Sequence, residues 1–191
     1  IKVRPLADRA IKAIEEGEVN IITASRKSAV IQYYKNLRDW NISRQIAWGI
    51  PIPAFQNTED PDDWIFDTRI DEETIVVDGT TYRREEDTFD TWFSSGQWPY
   101  ITTDYLAGGE LSRFYPNSVL ETGFDILYQW VARMIMAGLE FTHPGQPLEK
   151  RIPFKNVYFT GIIRDQQGRK MSKSLGNSPD PLILIDKYGA D

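Results

Sequence analysis

Four cationic side chains lie close together in the segment 162–181, which reads IIRDQQGRKMSKSLGNSPDP. They are Arg164, Arg169, Lys170 and Lys173, and two glycines and two serines, Gly168, Gly176, Ser172 and Ser174, lie in the same segment. Flexible lysine ammonium groups suit a polyphosphate, because their rotatable donors can follow negative charge that moves during a reaction. The segment lacks the G-x-x-x-x-G-K-[ST] spacing of a Walker A loop, so any phosphate site here is of another kind. An ordinary solvated surface loop is the alternative interpretation.

The charge of the whole chain makes this cluster unusual. Residues 150–173 contain seven basic residues and one acidic residue, a net charge of +6, whereas the complete chain has a net charge of −6. Such an uneven distribution indicates that a polyanionic ligand meets one edge of the protein.

A second candidate position is the stretch ETGFDI, which contains Gly123 and Asp125. Gly123 has no side chain, so a ligand or another chain segment can approach its backbone closely. The Asp125 carboxylate could accept hydrogen bonds from ribose hydroxyls. Alternatively, Asp125 only caps the helix that follows it.

The elements around these residues predict an α/β fold. NSVLETG and KNVYFTGIIRD read as continuous apolar strands, and the segment between them, residues 124–142, has an apolar stripe at helical spacing. This strand–helix–strand order favours a parallel sheet that is covered on both faces. Ligands of such sheets bind beyond the carboxyl ends of the strands, so Gly123, Asp125 and the lysines should face one crevice.

Other local patterns predict the flanking elements. Helices are expected over residues 4–17 and 25–40, and another helix begins near residue 181. The Asp78-Gly79 pair between β-branched runs predicts a two-residue hairpin.

Composition excludes several kinds of site. The chain has no cysteine, which excludes disulfides, thiolate zinc sites and a cysteine nucleophile. The single histidine, His143, is expected to be an exposed loop residue rather than a metal ligand or a base. No apolar run approaches the ~20 residues of a membrane span, so no membrane contact is expected. The chain lacks an initiator methionine, and we expect it to be part of a longer protein.

Four blocks of the sequence resemble the class I aminoacyl-tRNA synthetases, and they occur along the chain in the same order as in that family. KMSKS at residues 170–174 is similar to their second signature, and RDWNISRQIAWGIPIP at 38–53 resembles a block of the valyl, isoleucyl and leucyl branch. EEDTFDTWFSSGQWPY at 85–100 and ETGFDILYQWVARMIMAGLEFT at 121–142 look like the corresponding blocks of the valyl-tRNA synthetase branch. The resemblance extends over almost the whole chain.

This resemblance implies the second half of a catalytic domain. The fold class would be α/β, part of a Rossmann-like nucleotide-binding parallel sheet with flanking helices and a small β-hairpin insertion. Residues 1–55 would form entry helices and a pocket block, residues 56–86 the β insertion, and residues 87–191 the nucleotide-binding half. The reaction implied is ATP-dependent activation of valine to valyl-adenylate, followed by transfer to tRNA(Val).

The resemblance also implies roles for particular residues. Lys170 and Lys173 would be catalytic and would hold the ATP triphosphate, and Gly123 and Asp125 would border the nucleoside. The predicted ATP-binding residues are therefore Gly123, Asp125 and Lys173. The KMSKS motif itself consists of Lys170, Met171, Ser172, Lys173 and Ser174.

An amino-acid pocket is implied by the same comparison. Trp48 and Trp92 match tryptophans that line this pocket in the branch; without the motif match, ordinary core packing would be the preferred interpretation of each. Thr88, four residues before Trp92, is also assigned to this pocket, although it stands where the family more often has an aliphatic residue. Arg44 and Asp90 are expected to hold the pocket in place rather than to contact substrate.

The partners implied are ATP with Mg²⁺, L-valine and the acceptor end of tRNA(Val). The first class I signature, His-x-Gly-His, cannot be present in a chain with one histidine. We therefore expect an N-terminal half, an editing domain and an anticodon-binding domain on the same polypeptide, and a fragment that is inactive alone. Residues 54–64 lack the cysteines of the family's zinc knuckle, so no zinc or other protein-bound metal is expected. A cytoplasmic enzyme is implied.

Two alternatives remain open from the sequence. The chain could belong to an isoleucyl- or leucyl-type synthetase, or it could be a non-catalytic synthetase-like module that binds nucleotide or RNA.

Overall fold

The computed structural model describes residues 1–172 and 174–190. The helices are α1 (Arg4–Glu15), α2 (Ala24–Asn36), α3 (Thr91–Ser95), α4 (Trp98–Thr102), α5 (Ala132–Phe141), α6 (Leu148–Arg151) and α7 (Pro181–Tyr188). The strands are β1 (Asn20–Ile21), β2 (Ser43–Arg44), β3 (Ala54–Asn57), β4 (Trp64–Phe66), β5 (Thr74–Val77), β6 (Thr80–Arg84), β7 (Thr88–Phe89), β8 (Asn117–Gly123) and β9 (Phe154–Thr160). Short 3₁₀ turns at Glu110–Phe114 and Phe124–Ile126 and a π-helical turn at Leu127–Val131 complete the pattern.

The central sheet is parallel and has the strand order β1-β9-β8. β8 and β9 pair over their whole length, from Asn117 opposite Phe154 to Gly123 opposite Thr160. Helices α1, α2 and α5 pack together with one face of this sheet in the main hydrophobic core. The predicted α/β fold with a parallel sheet and flanking helices is confirmed.

The expectation that the sheet is covered on both faces is wrong for the part of the chain described here. Leu120 and Val157, paired across β8 and β9, are buried against the helices. Val119 and Tyr158 point to the opposite face, where they are 55% and 47% exposed. An apolar run shows that a segment can form a strand, but the covering of each face depends on elements distant in sequence.

Helix α1 packs closely because of its small residues. Pro5 lies in its first turn, and Ala7, Ala10, Ala13 and Ile14 are buried. Alanines at this spacing form a stripe that lets a neighbouring helix approach. The chain leaves the helix at Gly17, whose φ of +84° favours glycine.

Helix α2 is shorter than the pattern predicts. It ends at Asn36 because Leu37 adopts an extended backbone conformation with ψ of 130°. Trp40, expected in the helix, instead donates its indole N–H to Asp90 at 2.9 Å. This tertiary hydrogen bond lies where the chain leaves the helical conformation that its local apolar spacing predicts.

The segment 124–142 is helical, with the apolar stripe in the core, as predicted. Trp130, also part of the predicted stripe, is half-buried and donates to the Ser95 carbonyl at 3.3 Å. The buried members of the stripe are Leu127, Val131, Met134, Ile135 and Leu139.

A separate antiparallel sheet has the strand order β4-β3-β6-β5 and its own small core of Phe55, Ile75 and Tyr82. The predicted hairpin is present: Asp78 and Gly79 have φ values of 50° and 83°, as a two-residue turn between twisted strands requires. The sheet begins at Ala54, slightly before the predicted limit. The division into residues 1–55, 56–86 and 87–191 stays a prediction.

Candidate nucleotide-binding crevice

The carboxyl ends of β8 and β9 lie side by side, because Gly123 is paired with Thr160. The turn 124–126 continues from β8, and residues 161–180, which we call the lysine loop, continue from β9. The Lys170 ammonium lies 2.5 Å from a carboxylate oxygen of Asp125. One ion pair therefore joins the two segments that the sequence places at the same edge of the sheet.

Asp125 can reach this position because residue 123 is glycine. A Cβ at Gly123 would lie 2.9 Å from a carboxylate oxygen of Asp125, closer than real Cβ contacts allow. The Lys170 hydrogen bond lowers the pKa of Asp125, so the carboxylate is charged at neutral pH. Asp125 lies within the 3₁₀ turn 124–126, whose N-cap position is Gly123, and its carboxylate pairs with Lys170.

The lysine loop is organised by polar contacts. In its first part the chain makes a tight turn, and the backbones of Arg164 and Lys170 form an isolated antiparallel β-bridge across it. Gly168 lies in this turn and has a φ of +77°. Asp165 lies inside this turn, and its side chain is only 9% exposed. The Asn177 side chain, first among several donors, lowers the pKa of Asp165.

The remaining motif residues are placed around this turn. Met171 and Ser172 are half-buried, whereas Ser174 is exposed, and the two serine hydroxyls are 3.2 Å apart. Lys173, to which catalytic and ATP-binding roles were assigned, lies outside the described residues.

The tryptophans of the predicted amino-acid pocket lie in different surroundings. Trp92 lines an apolar cavity of about 260 Å³ together with Trp40 and Phe93. Trp48 is 93% exposed and lies outside this cavity. The structure therefore does not bring Trp48 and Trp92 together.

Thr88 is buried and lies against the segment that carries Trp48. Its hydroxyl is 3.4 Å from the Ile46 carbonyl, and β7 pairs Thr88 with Arg44 of β2. A Cβ at Gly49 would lie only 2.6 Å from the Thr88 hydroxyl oxygen. Thr88 thus supports the loop behind Trp48 rather than lining the cavity next to Trp92.

Asp90 fixes the position of Trp92 from within the structure. It is 5% exposed and accepts hydrogen bonds from the Trp92 backbone N–H and the Trp40 indole N–H, each at 2.9 Å. Arg44 pairs with the same carboxylate at 2.5 Å. This geometry matches the supporting role expected of Arg44 and Asp90.

Comparison with known proteins now identifies the family. The family model described as tRNA synthetases class I (I, L, M and V) matches residues 1–191. The chain belongs to the class I tRNA synthetases. This confirms the resemblance stated from the four sequence blocks.

Relatives of this synthetase chain include valine–tRNA ligases. That of Fusobacterium nucleatum is 46% identical over 198 residues, and that of Borreliella burgdorferi is 42% identical over 194 residues. Each alignment covers 100% of this chain and 21% of the relative. The chain therefore spans about a fifth of the length of these relatives.

Solved synthetase structures share the fold. The LeuRS–tRNA–LeuAMS ternary complex of Agrobacterium radiobacter K84 has a TM-score of 0.64 at 24% identity, over 81% of this chain and 23% of that one. The methionyl-tRNA synthetase of Mycobacterium tuberculosis bound by methionyl-adenylate has a TM-score of 0.60 at 22% identity, over 99% of this chain and 30% of that one.

The part of this synthetase chain that the structure describes contains neither a cluster of metal ligands nor a helix that could cross a membrane. Across residues 1–172 and 174–190, no three His, Asp or Glu side chains are grouped closely enough to hold a metal ion. In the same ranges, none of the helices combines the length and apolar character that crossing a membrane requires. His143 is exposed, as expected.

Sequence reasoning missed two residues of the lysine loop, Asp165 and Asn177. Asp165 is the only acid in the basic segment 150–173, and that isolation was an available signal. Asn177 carried no comparable signal, because an asparagine beside a glycine is common in any turn.

Proposed function

We propose that this chain is part of the catalytic domain of a valine–tRNA ligase that activates valine with ATP and transfers it to tRNA(Val). The observation that carries this proposal is the Lys170–Asp125 contact, which holds the lysine ammonium group at the carboxyl edge of the parallel sheet. The 42–46% identity to valine–tRNA ligases along the entire chain supports valine as the amino acid.

Activation requires no general base from the protein. A carboxylate oxygen of valine attacks the α-phosphorus of ATP, and the bond from that phosphorus to pyrophosphate breaks. The attacking carboxylate is already deprotonated, so alignment and charge stabilisation carry the reaction. Lys170, and by its place in the motif Lys173, would stabilise the negative charge that develops on the departing pyrophosphate.

Nucleotide binding would change the partner of Lys170. The triphosphate offers the ammonium a denser negative charge than one carboxylate does. Asp125 would then accept hydrogen bonds from the ribose hydroxyls, beside the open backbone at Gly123. Mg²⁺ would enter as part of the ATP complex, since it retains water and phosphate ligands and needs at most one or two carboxylates from the protein.

The amino-acid pocket is proposed at the apolar cavity that Trp92 lines together with Trp40 and Phe93. Flat aromatic walls exclude side chains longer than that of valine. They discriminate against a hydroxylated analogue of the same size by only about 100-fold, so an editing site is expected elsewhere in the protein.

The remaining partners follow from the same proposal. The acceptor end of tRNA(Val) would receive the valyl group from the adenylate. The N-terminal half, the editing domain and the anticodon-binding domain would be supplied by the same polypeptide, in the cytoplasm.

Amino-acid-dependent exchange of pyrophosphate into ATP tests this function in the full-length ligase. We expect exchange with valine to exceed that with isoleucine or leucine by at least about 100-fold, the discrimination that one pocket provides. The 191-residue chain alone should show negligible exchange. Preference for isoleucine or leucine would contradict the assignment to valine, and nucleotide binding without exchange by the full-length protein would indicate a non-catalytic module.

A further inference from the structure

The order of the lysine loop depends on hydrogen bonds rather than on apolar packing. Between residues 161 and 180, none of the residues that the structure describes is buried. A segment without a hydrophobic anchor opens at low cost unless polar contacts hold it. The contacts that hold this loop therefore decide where the Lys170 backbone lies.

Asp165 is the centre of these contacts. One of its carboxylate oxygens accepts from the backbone N–H groups of Gln167 and Arg169, at 3.0 and 2.8 Å. The other accepts from the Arg169 guanidinium at 2.8 Å and from the Asn177 side-chain amide at 2.9 Å. Four donors thus converge on one nearly buried carboxylate.

Asn177 connects Asp165 to the backbone of the KMSKS motif. Its side-chain NH₂ group faces Asp165 and also lies 3.3 Å from the Lys170 carbonyl oxygen. Its side-chain oxygen accepts from the Ser172 backbone N–H at 2.9 Å. One amide therefore holds the backbone on both sides of Met171.

The orientation of the Asn177 amide is set by Asp165. An ionised carboxylate only accepts hydrogen bonds, so the NH₂ end of Asn177 must face it. The carbonyl end must then face the Ser172 N–H. An aspartate at position 177 could not donate and would place a second negative charge beside Asp165.

We propose that Asp165 and Asn177 are paired positioning residues that hold the backbone of Lys170 and Ser172, so that the lysine ammonium group reaches the nucleotide. This inference rests on the proposed function and deepens it. Neither residue touches substrate: both act through the loop backbone. Because a displacement of about 1 Å can reduce a rate about 100-fold, loss of this pairing should reduce catalysis while the fold remains intact.

The experiment compares variants of the full-length ligase in valine-dependent pyrophosphate exchange. Asn177→Asp should lower kcat about 100-fold and leave the KM for valine within about twofold. The double variant Asp165→Asn, Asn177→Asp restores one side-chain hydrogen bond with its direction reversed and keeps an acceptor for Ser172. The kcat of the double variant should be at least about tenfold higher than that of Asn177→Asp. General destabilisation would not produce such a rescue, because a second destabilising change would lower activity further.

Gln166→Ala is the matched control, because the Gln166 side chain is exposed and makes no hydrogen bond to any residue that the structure describes. It should retain the wild-type kcat. The inference would be overturned if the kcat of Asn177→Asp were within twofold of the wild-type kcat. It would also be overturned if the kcat of the double variant were no higher than that of Asn177→Asp. If Lys170→Ala is impaired in that case, the proposed function stands without the positioning pair. A wild-type protein without valine-dependent exchange would refute the proposed function itself.

Discussion

Replacing Asp90 with alanine should destabilise the chain more than any other single change of a charged side chain near Trp92. The substitution removes the cap of α3 and leaves the Trp40 indole N–H without its acceptor. It also removes the negative partner of Arg44 and of the largely buried Arg133. The Arg133 guanidinium lies 4.0 Å from the Asp90 carboxylate and 3.5 Å from the centre of the Trp40 ring.

The magnitude follows from these contacts. Loss of the helix cap costs about 1 kcal/mol, and an unsatisfied indole N–H costs about 1–3 kcal/mol. Removing the carboxylate from two guanidinium groups adds to this, so the free energy of unfolding should fall by about 3–5 kcal/mol. Asp90→Asn keeps an oxygen for the cap and should cost about 1–2 kcal/mol less than Asp90→Ala.

Urea unfolding of the chain, followed by tryptophan fluorescence, measures this difference. Asp71→Ala is the control, because Asp71 is exposed, and it should change the free energy of unfolding by less than about 0.5 kcal/mol. A loss below about 1 kcal/mol for Asp90→Ala would refute the reasoning that this carboxylate holds Trp92 and Trp40 in place.

Three further predictions concern other parts of the chain. Lys170→Ala should raise the pKa of Asp125 toward its ordinary value of 3.8, as measured by NMR titration of the carboxyl group. Because the folded-state pKa is lowered, the ion pair stabilises the fold above about pH 4, and this contribution disappears as the pH falls through the folded-state pKa. Tyr34→Phe should lower the free energy of unfolding by about 0.5–1.5 kcal/mol, because the buried hydroxyl donates to the Ala132 carbonyl at 2.6 Å and this hydrogen bond is lost; an unchanged urea midpoint would contradict this. Gly79→Ala should cost about 1 kcal/mol by urea unfolding, since its φ is +83° and no atom lies within 4 Å of an added Cβ, which leaves backbone strain as the cause; stabilisation would contradict it.

Local sequence signals predicted the elements that depend on neighbouring residues. The Asp78-Gly79 hairpin follows from the backbone preferences of two adjacent residues, and α1 follows from its alanine stripe. The end of α2 was predicted too late because Trp40 bonds to Asp90, 50 residues further along the chain. Contacts over such separations leave no local pattern.

The candidate site was predictable to a similar extent. The carboxyl-edge rule for parallel strands placed Asp125 and Lys170 at one crevice, and the structure places them in contact. The isolated acid at position 165 could be noticed in the sequence, but its pairing with Asn177 could not be predicted, because it depends on which polar atoms meet when the loop folds back. The exposure of Trp48 depends in the same way on elements distant in sequence.

In the proposed function, the Lys170 charge at the carboxyl edge of the sheet drives formation of the adenylate. The most direct measurement is the single-turnover rate of valyl-adenylate formation in the full-length ligase, for Lys170→Ala and for the control Lys155→Ala. Lys155 is also exposed but lies near the opposite end of β9. We predict a 100- to 1,000-fold decrease for Lys170→Ala, roughly the loss expected on removing one group that stabilises charge in the transition state, and an unchanged rate for Lys155→Ala. Equal rates for the two variants would contradict the account.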